Sequence, residues 1–142
     1  MKTNYFLVAV LLLTAVATQA QKRISNSELP KEATTFLEKH FKNNAIDHAK
    51  KDSEHGEKGF EVILADGTEV EFYKDGQWRE VDGNDKPIPT AFIAASITDY
   101  VKKNYPNEKI THIDKGHKDI DVDLTGKIDL EFDKNGKFLK VD

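Results

Sequence analysis

The sequence predicts an α+β fold made of two tandem repeats, each a helix followed by a four-stranded antiparallel sheet, with the helices on one face of the sheet. Two observations support this. The chain repeats itself, because Phe36 and His48 recur 64 residues later as Tyr100 and His112. Within each copy, apolar residues are first spaced three or four apart and then alternate strictly with polar ones, which predicts a helix followed by strands.

The first twenty residues have the pattern of a secretory signal peptide. Lys2 supplies a positive charge, and Phe6–Ala17 is an apolar run shorter than the roughly 20 residues that a membrane span needs. Thr18 and Ala20 place small residues where signal peptidase requires them. A buried helix or a membrane anchor is the alternative, but a polar stretch follows at once. We therefore expect cleavage after Ala20, a periplasmic or secreted product and no membrane span.

Composition excludes several classes of function. The chain has 142 residues, no cysteine and a net charge of −4. Without cysteine it has no disulfide scaffold, thiolate metal site or cysteine nucleophile. Its only arginines are Arg23 and Arg79, and a basic stripe is missing, so a nucleic-acid partner is not expected.

The repeat and the signal pattern together divide the chain into five segments. Two copies of this size are at the lower limit of what folds alone, so we expect them to share a core or an interface. The predicted segments are a signal peptide (1–20), an N-terminal segment (21–28), a first repeat (29–82), a linker (83–87) and a second repeat (88–142).

Each copy is predicted to begin with a helix that has proline at its start. Pro30 opens the first helix, Pro89 opens the second, and Pro106 closes the second. The expected apolar stripes are Leu29, Ala33, Phe36, Leu37 and Phe41 in the first helix and Phe92, Ile93, Ile97, Tyr100, Val101 and Tyr105 in the second.

The strand register follows from the hairpin loops. A three-residue loop at 65–67 pairs Val62 with Val70, whereas a two-residue loop would place Leu64 opposite Glu69 and mix the two faces. The same three-residue loop fits 74–76 and 134–136, each ending in glycine. The loop at 125–127 differs, because Gly126 stands one position early.

Alternation leaves an acidic set of side chains on the sheet face away from the helices. Glu61 is predicted opposite Glu71, and Asp121 opposite Glu131. Opposed like charges are unfavourable, so they suggest a cation or a basic partner, although the solvated face of an amphipathic sheet would show the same pattern. The candidate partner-binding residues are Glu61, Glu69, Glu71, Tyr73, Trp78, Arg79, Asp121, Asp129, Glu131 and Leu139. Of these, Trp78 is the exception, because its parity places it on the helix side.

Catalytic motifs are missing from the sequence. No serine lies in a nucleophile elbow, and there is no zinc-protease helix motif and no phosphate-binding loop. His48 and His112 occupy equivalent positions, but they lack the spacing of a zinc pair. The stretch 82–85 lacks the ligand pattern of a calcium loop. We therefore predict that the protein is not an enzyme and has no resident metal or cofactor, with calcium as the one alternative.

Several segments together resemble the PepSY-like family of periplasmic proteins of Bacteroidetes. The segments are F-E-V-I-L-A-D-G-T-E-V-E-F (60–72), K-D-G-Q-W-R-E-V-D (74–82), I-P-T-A (88–91), Y-V-K-K-N-Y-P (100–106) and L-E-F-D-K-N-G-K-F-L-K-V-D (130–142). That family is similar in fold to β-lactamase inhibitory protein, which implies an extended sheet with helices behind it. Likeness of fold is weak evidence of function.

The expected function is therefore an exported, non-enzymatic binding protein, monomeric, that holds an unidentified protein partner on the open sheet face and inhibits it. The alternative is a calcium-binding or calcium-regulated periplasmic protein, because clustered acids supply the oxygen ligands that calcium prefers.

Overall fold

The computed structural model describes residues 22–52 and 59–142. The predicted signal peptide and its cleavage site lie outside these residues. The elements of the described part are, in order, β1 (Arg23–Ile24), a short 3-10 helix (Asn26–Glu28), α1 (Lys31–His40), β2 (Ile46–Asp52), β3 (Gly59–Leu64), β4 (Glu69–Tyr73), β5 (Trp78–Asp82), α2 (Ala95–Asn104), β6 (Ile110–Lys115), β7 (Asp119–Leu124), β8 (Ile128–Asp133) and β9 (Phe138–Val141).

The nine described strands form one antiparallel sheet in which each strand pairs with the next along the chain. The predicted α+β class is therefore confirmed. The two halves of the chain meet where β5 pairs with β6, with Val81 opposite Ile113 and Asp82 opposite His112. Val81 and Ile113 are both buried, so the core is continuous across this junction.

Both helices pack on the same face of the sheet. Ala33 and Leu37 of α1 are buried, and the ring of Phe36 meets that of Phe72 edge-on at 5.8 Å. In the second half, Tyr100 of α2 stacks on Phe138 of β9 at 4.4 Å. The apolar alternation predicted for the strands faces these helices.

The prediction that Pro89 opens the second helix is wrong, because α2 begins at Ala95. Residues before it form a turn in which the Ile93 amide donates to the Thr90 carbonyl. This turn carries Phe92 to the first half of the molecule, where its ring lies 5.1 Å from Trp78. Tertiary packing of one aromatic side chain thus outweighs the preference for a helix that starts at proline.

The three-residue hairpin loops are as predicted. Gly67 and Gly76 both have φ of 86°, the left-handed conformation that glycine adopts without a steric penalty. The loop at 125–127 has the same length, since Leu124 pairs with Ile128, but Lys127 takes the left-handed position with φ of 56°. The odd position of Gly126 therefore changes the residue that bears the strain and leaves the register intact.

In the described part of the chain, no helix is both long and apolar enough to cross a membrane.

Candidate binding face

The sheet face opposite α1 and α2, here called the open face, is covered by no helix in the described part of the chain. Alternation puts the charged residues of most strands on this side, as Glu69 and Glu71 show on β4 between the buried Val70 and Phe72. The candidate site is built from the side chains that the strand register brings next to one another on this face.

Six carboxylates stand directly opposite one another across six consecutive strands. This set, here called the carboxylate row, consists of Glu61, Glu71, Glu80, Asp114, Asp121 and Glu131. Lys50 continues it on β2 and Lys140 on β9, so each end carries a cation. Neighbouring strands lie about 4.8 Å apart, which brings the carboxylates close enough to repel one another strongly.

A second row runs parallel to the first, one step of the alternation away. Glu69 on β4 pairs with Asp82 on β5, and Asp82 pairs with His112 on β6. His112 pairs in turn with Asp123, and Asp123 with Asp129. The open face is therefore acidic in two adjacent rows, with one histidine near the middle.

A β-bulge explains why β5 contributes two charged residues to this face. The register between β4 and β5 shifts between Glu71 and Phe72, so Arg79 and Glu80 both point away from the helices. The Arg79 guanidinium pairs with the Glu71 carboxylate and lies 3.8 Å from that of Glu80. The bulge thus inserts a cation into the carboxylate row.

Other cations compensate the ends of the row. The Lys50 ammonium lies 2.8 Å from the Glu61 carboxylate, and the Lys140 ammonium lies 3.1 Å from that of Glu131. Asp121 lies between these ends, and burial together with the charges of Glu131 and Asp114 raises its pKa. Repulsion in the row is therefore concentrated in the second half of the sheet.

His112 is held between two carboxylates from different strands. Its Nε2 lies 2.9 Å from Glu80 Oε1, and its Nδ1 lies 3.1 Å from Asp123 Oδ2. Burial lowers the pKa of this histidine, but the hydrogen bond to Glu80 and the charges of Asp123, Glu80 and Asp82 raise it to about 9. The imidazolium form therefore predominates at neutral pH and ties β5 to β7 across β6.

A polar cleft of about 520 Å³ opens beside His112 at the junction of the two halves. Its lining includes Asp82, Asp85, Asp123, Asp129 and Lys127. In the residues that the structure describes, no three His, Cys, Asp or Glu side chains are arranged to hold a metal ion. The cleft is acidic but is not a preformed cation cage.

The predicted partner-binding residues divide by location. In or beside the carboxylate row lie Glu61, Glu71, Arg79, Asp121 and Glu131, and in the second row lie Glu69 and Asp129. Tyr73, Trp78 and Leu139 lie outside both rows.

Tyr73 is half-buried, and its hydroxyl donates to the Lys115 carbonyl at 3.2 Å. Trp78 lies on the helix side, where its ring stacks near Phe36 and the Lys115 ammonium sits 3.8 Å above it. Leu139 is exposed on β9, the last strand of the sheet. Tyr73 and Trp78 are thus anchored by contacts within the protein.

Sequence reasoning did not identify Glu80, Asp114 or His112 as members of one site. The register across β5 and β6 places them together, and it depends on the bulge at Arg79 and on the pairing of the two halves. The signal that could have revealed the bulge is the spacing from Trp78 to Val81, since both side chains lie on the helix side although three positions separate them.

Comparison with known proteins agrees with this architecture. Residues 58–140 match the family described as "Putative beta-lactamase-inhibitor-like, PepSY-like". None of the curated proteins searched matches the chain.

Three crystal structures of Bacteroides proteins are similar to the chain. One, from Bacteroides thetaiotaomicron, is described as a "putative calcium-regulated periplasmic protein"; it is 36% identical, has a TM-score of 0.81, and the match covers 86% of this chain and 96% of that one. A "putative periplasmic protein from DUF2874 family" from Bacteroides vulgatus is 31% identical with a TM-score of 0.82, and the match covers 88% and 98% of the two chains. Another protein of that organism, described as "of unknown function", is 30% identical with a TM-score of 0.80, and the match covers 87% and 99%.

Proposed function

The chain belongs to the PepSY-like family, and from this membership and the acidic open face we propose that it is an exported, non-enzymatic protein that binds a basic protein partner. Its structural neighbours are described as periplasmic proteins, which supports export after cleavage of the predicted signal peptide. The order of one helix and four strands occurs twice along the chain. We interpret it as a tandem repeat that extends one sheet and widens this face.

The observation that carries the proposal is the carboxylate row. Repulsion between aligned carboxylates opposes folding. Burial and neighbouring acids raise the pKa of Asp121 in the carboxylate row and that of Glu69 in the second row. Neutral residues at Glu69 and Asp121 would be more favourable for folding alone. A cationic partner surface would neutralise the row on binding, so binding explains a pattern that stability does not.

The family description also supports an inhibitory role, in which the partner is an enzyme whose surface the open face covers. The protein binds as a monomer in this proposal. A face lined by charged side chains fits the binding of a partner of opposite charge.

The test compares two double variants that remove the same number and types of charge. Glu69→Gln/Asp121→Asn neutralises the open face, and Glu38→Gln/Asp99→Asn neutralises exposed positions on α1 and α2. The mature protein is immobilised and used to capture partners from a periplasmic extract. We expect the first variant to bind the partner at least about tenfold more weakly and the second to bind it like the wild type.

Loss of binding through unfolding is separable, because relief of repulsion predicts that Glu69→Gln/Asp121→Asn melts at a higher temperature than the wild type. Equal capture by both variants, or no partner for the wild type, would reject the proposal.

A second candidate function is calcium regulation. It is supported by the description of the Bacteroides thetaiotaomicron neighbour and by the acidic cleft beside His112. If it holds, calcium gives a saturable heat in calorimetry and raises the melting temperature, magnesium does not, and Asp82→Asn/Asp129→Asn removes both effects. Absence of heat with the wild type would rule it out.

A further inference from the structure

We propose that the edge of β9, which pairs with no second strand among the described residues, is a docking site for an extended peptide segment that presents a basic, an apolar and an acidic residue in that order. The backbone groups of this edge are distinct from the carboxylates that carry the function proposed above, and Lys140, which pairs with Glu131 of the carboxylate row, is the one residue that the two sites share. The inference rests on a comparison of β9 with β5 within the same molecule.

The two strands occupy equivalent positions in the two halves. Each follows a three-residue loop, each has a bulge at the same point of its pairing, and each begins with an aromatic residue, Trp78 or Phe138, that packs towards a helix. Lys140 stands opposite Glu131 as Glu80 stands opposite Glu71. The backbone groups that β5 offers to β6 are therefore matched by those that β9 leaves at the edge of the sheet.

The two edges differ in what covers them. β6 pairs with β5, and Val81 is 0% exposed, whereas its equivalent Val141 on β9 is 52% exposed. Leu139, also on β9, is 47% exposed, and these two are the exposed large apolar side chains of the described residues. An uncovered strand edge with exposed apolar residues is a template for pairing with another strand.

The internal pair shows which sequence fits. Opposite Asp82, Val81 and Glu80 of β5, strand β6 places a histidine, an isoleucine and an aspartate. On β9 the equivalent residues are Asp142, Val141 and Lys140. Lys140 and Asp142 pair with each other at this edge, and a strand docked here would replace that pair. Charge complementarity then favours a cation opposite Asp142, a β-branched residue opposite Val141 and an acid opposite Lys140, in an antiparallel strand.

The probe is the peptide acetyl-Ile-Thr-His-Ile-Asp-Lys-amide, which has the sequence of β6 and the required order. It is titrated to about 5 mM into the isotopically labelled mature protein at pH 6, below the ordinary histidine pKa of about 6.5. We expect saturable chemical-shift changes at the backbone amides of 138–142. The control peptide acetyl-Ile-Thr-Asp-Ile-Lys-Lys-amide exchanges the two charges and is expected to bind about tenfold more weakly.

Two variants sharpen the test. Lys140→Glu should reverse the preference between the two peptides, and Val141→Lys should abolish binding without lowering the melting temperature, since this side chain is half exposed. Glu69→Gln/Asp121→Asn, on the open face, should bind the first peptide like the wild type.

No saturable change at 138–142, equal affinity for both peptides, or shifts confined to the open face would overturn the inference. So would a concentration-dependent dimer in sedimentation that Val141→Lys abolishes, because a second copy would then be the occupant of this edge.

Discussion

The fold strongly favours the charged form of His112. Its pKa of about 9 lies above the ordinary value of 6.5 because Glu80 and Asp123 stabilise the charged form more than burial opposes it. A folded-state pKa above that of the unfolded chain gives a stabilisation that is complete below about pH 6.5 and is lost as the pH rises through about 9. Its size is on the order of 3 kcal/mol.

We therefore predict that the melting temperature of the wild type falls between pH 6.5 and 9.5 and that His112→Gln greatly flattens this fall. His48→Gln is the matched control, because His48 pairs with the neighbouring Asp47 and lies outside the Glu80–Asp123 pair. An equally steep fall in His112→Gln would contradict the assignment of this stability to His112.

Ionisation of Asp121 has the opposite effect on stability to that of His112. Burial and the neighbouring acids raise its pKa, so the charged carboxylate destabilises the folded protein at neutral pH, and the penalty disappears once the pH falls below its unfolded value of about 3.8. Asp121→Asn should raise the melting temperature at pH 7 and leave it unchanged near pH 3. Equal melting curves at pH 7 would show that the row carries no net repulsion at this position.

Single residues also mark the limits of the sequence analysis. Alternation predicted that Glu61 faces Glu71 and that Asp121 faces Glu131, because both pairs depend only on local periodicity and loop length. It could not predict that Glu80 joins the row, since the bulge at Arg79 depends on how β5 is placed between β4 and β6.

At the scale of elements, the glycine of the hairpin loop at 74–76 contacts a helix, whereas the glycine of the loop at 65–67 does not. Gly76 lies beneath the start of α1, and a Cβ there would stand 2.8 Å from the Cβ of Pro30. Gly67 has the same φ of 86° but faces open space. A comparison of substitutions at Gly67 and Gly76 therefore separates the cost of a positive φ from the cost of a clash with the helix.

We predict that Gly67→Ala lowers the free energy of unfolding by about 1 kcal/mol and that Gly76→Ala lowers it by about 2 kcal/mol more. Urea denaturation followed by circular dichroism measures both. Equal losses for the two variants would mean that α1 moves away from the loop without strain.

Helix boundaries illustrate why elements are only partly predictable. The predicted start of α1 at Pro30 is within one residue of the observed start at Lys31, because local signals and packing agree there. The start of α2 was predicted wrongly, because Phe92 packs against the rings of Phe36 and Trp78. Both of these residues belong to the other half of the chain, so the local sequence does not indicate the contact.

At the scale of the whole molecule, we expect the pairing of β5 with β6 to make the two halves one cooperative unit. Trp78, the only tryptophan, belongs to the first half, and Val122, which is fully buried, belongs to the second. Val122→Ala should lower the free energy of unfolding by about 2 kcal/mol.

The expected result is that this variant shifts the urea midpoint of Trp78 fluorescence as much as the midpoint of circular dichroism. A fluorescence midpoint equal to that of the wild type would show that the halves unfold separately.

The order of the strands has a consequence for how this chain reaches its native state. Every described strand neighbours only those before and after it in the chain. Six pairings close a hairpin and two, β1–β2 and β5–β6, span one α-helix each, so the mean sequence separation of contacts is low for a sheet of nine strands. Such a sheet can be completed one strand at a time as the polypeptide emerges from a narrow exit, without waiting for distant segments. We therefore expect this sheet to have a higher folding rate than Greek-key sheets of similar size.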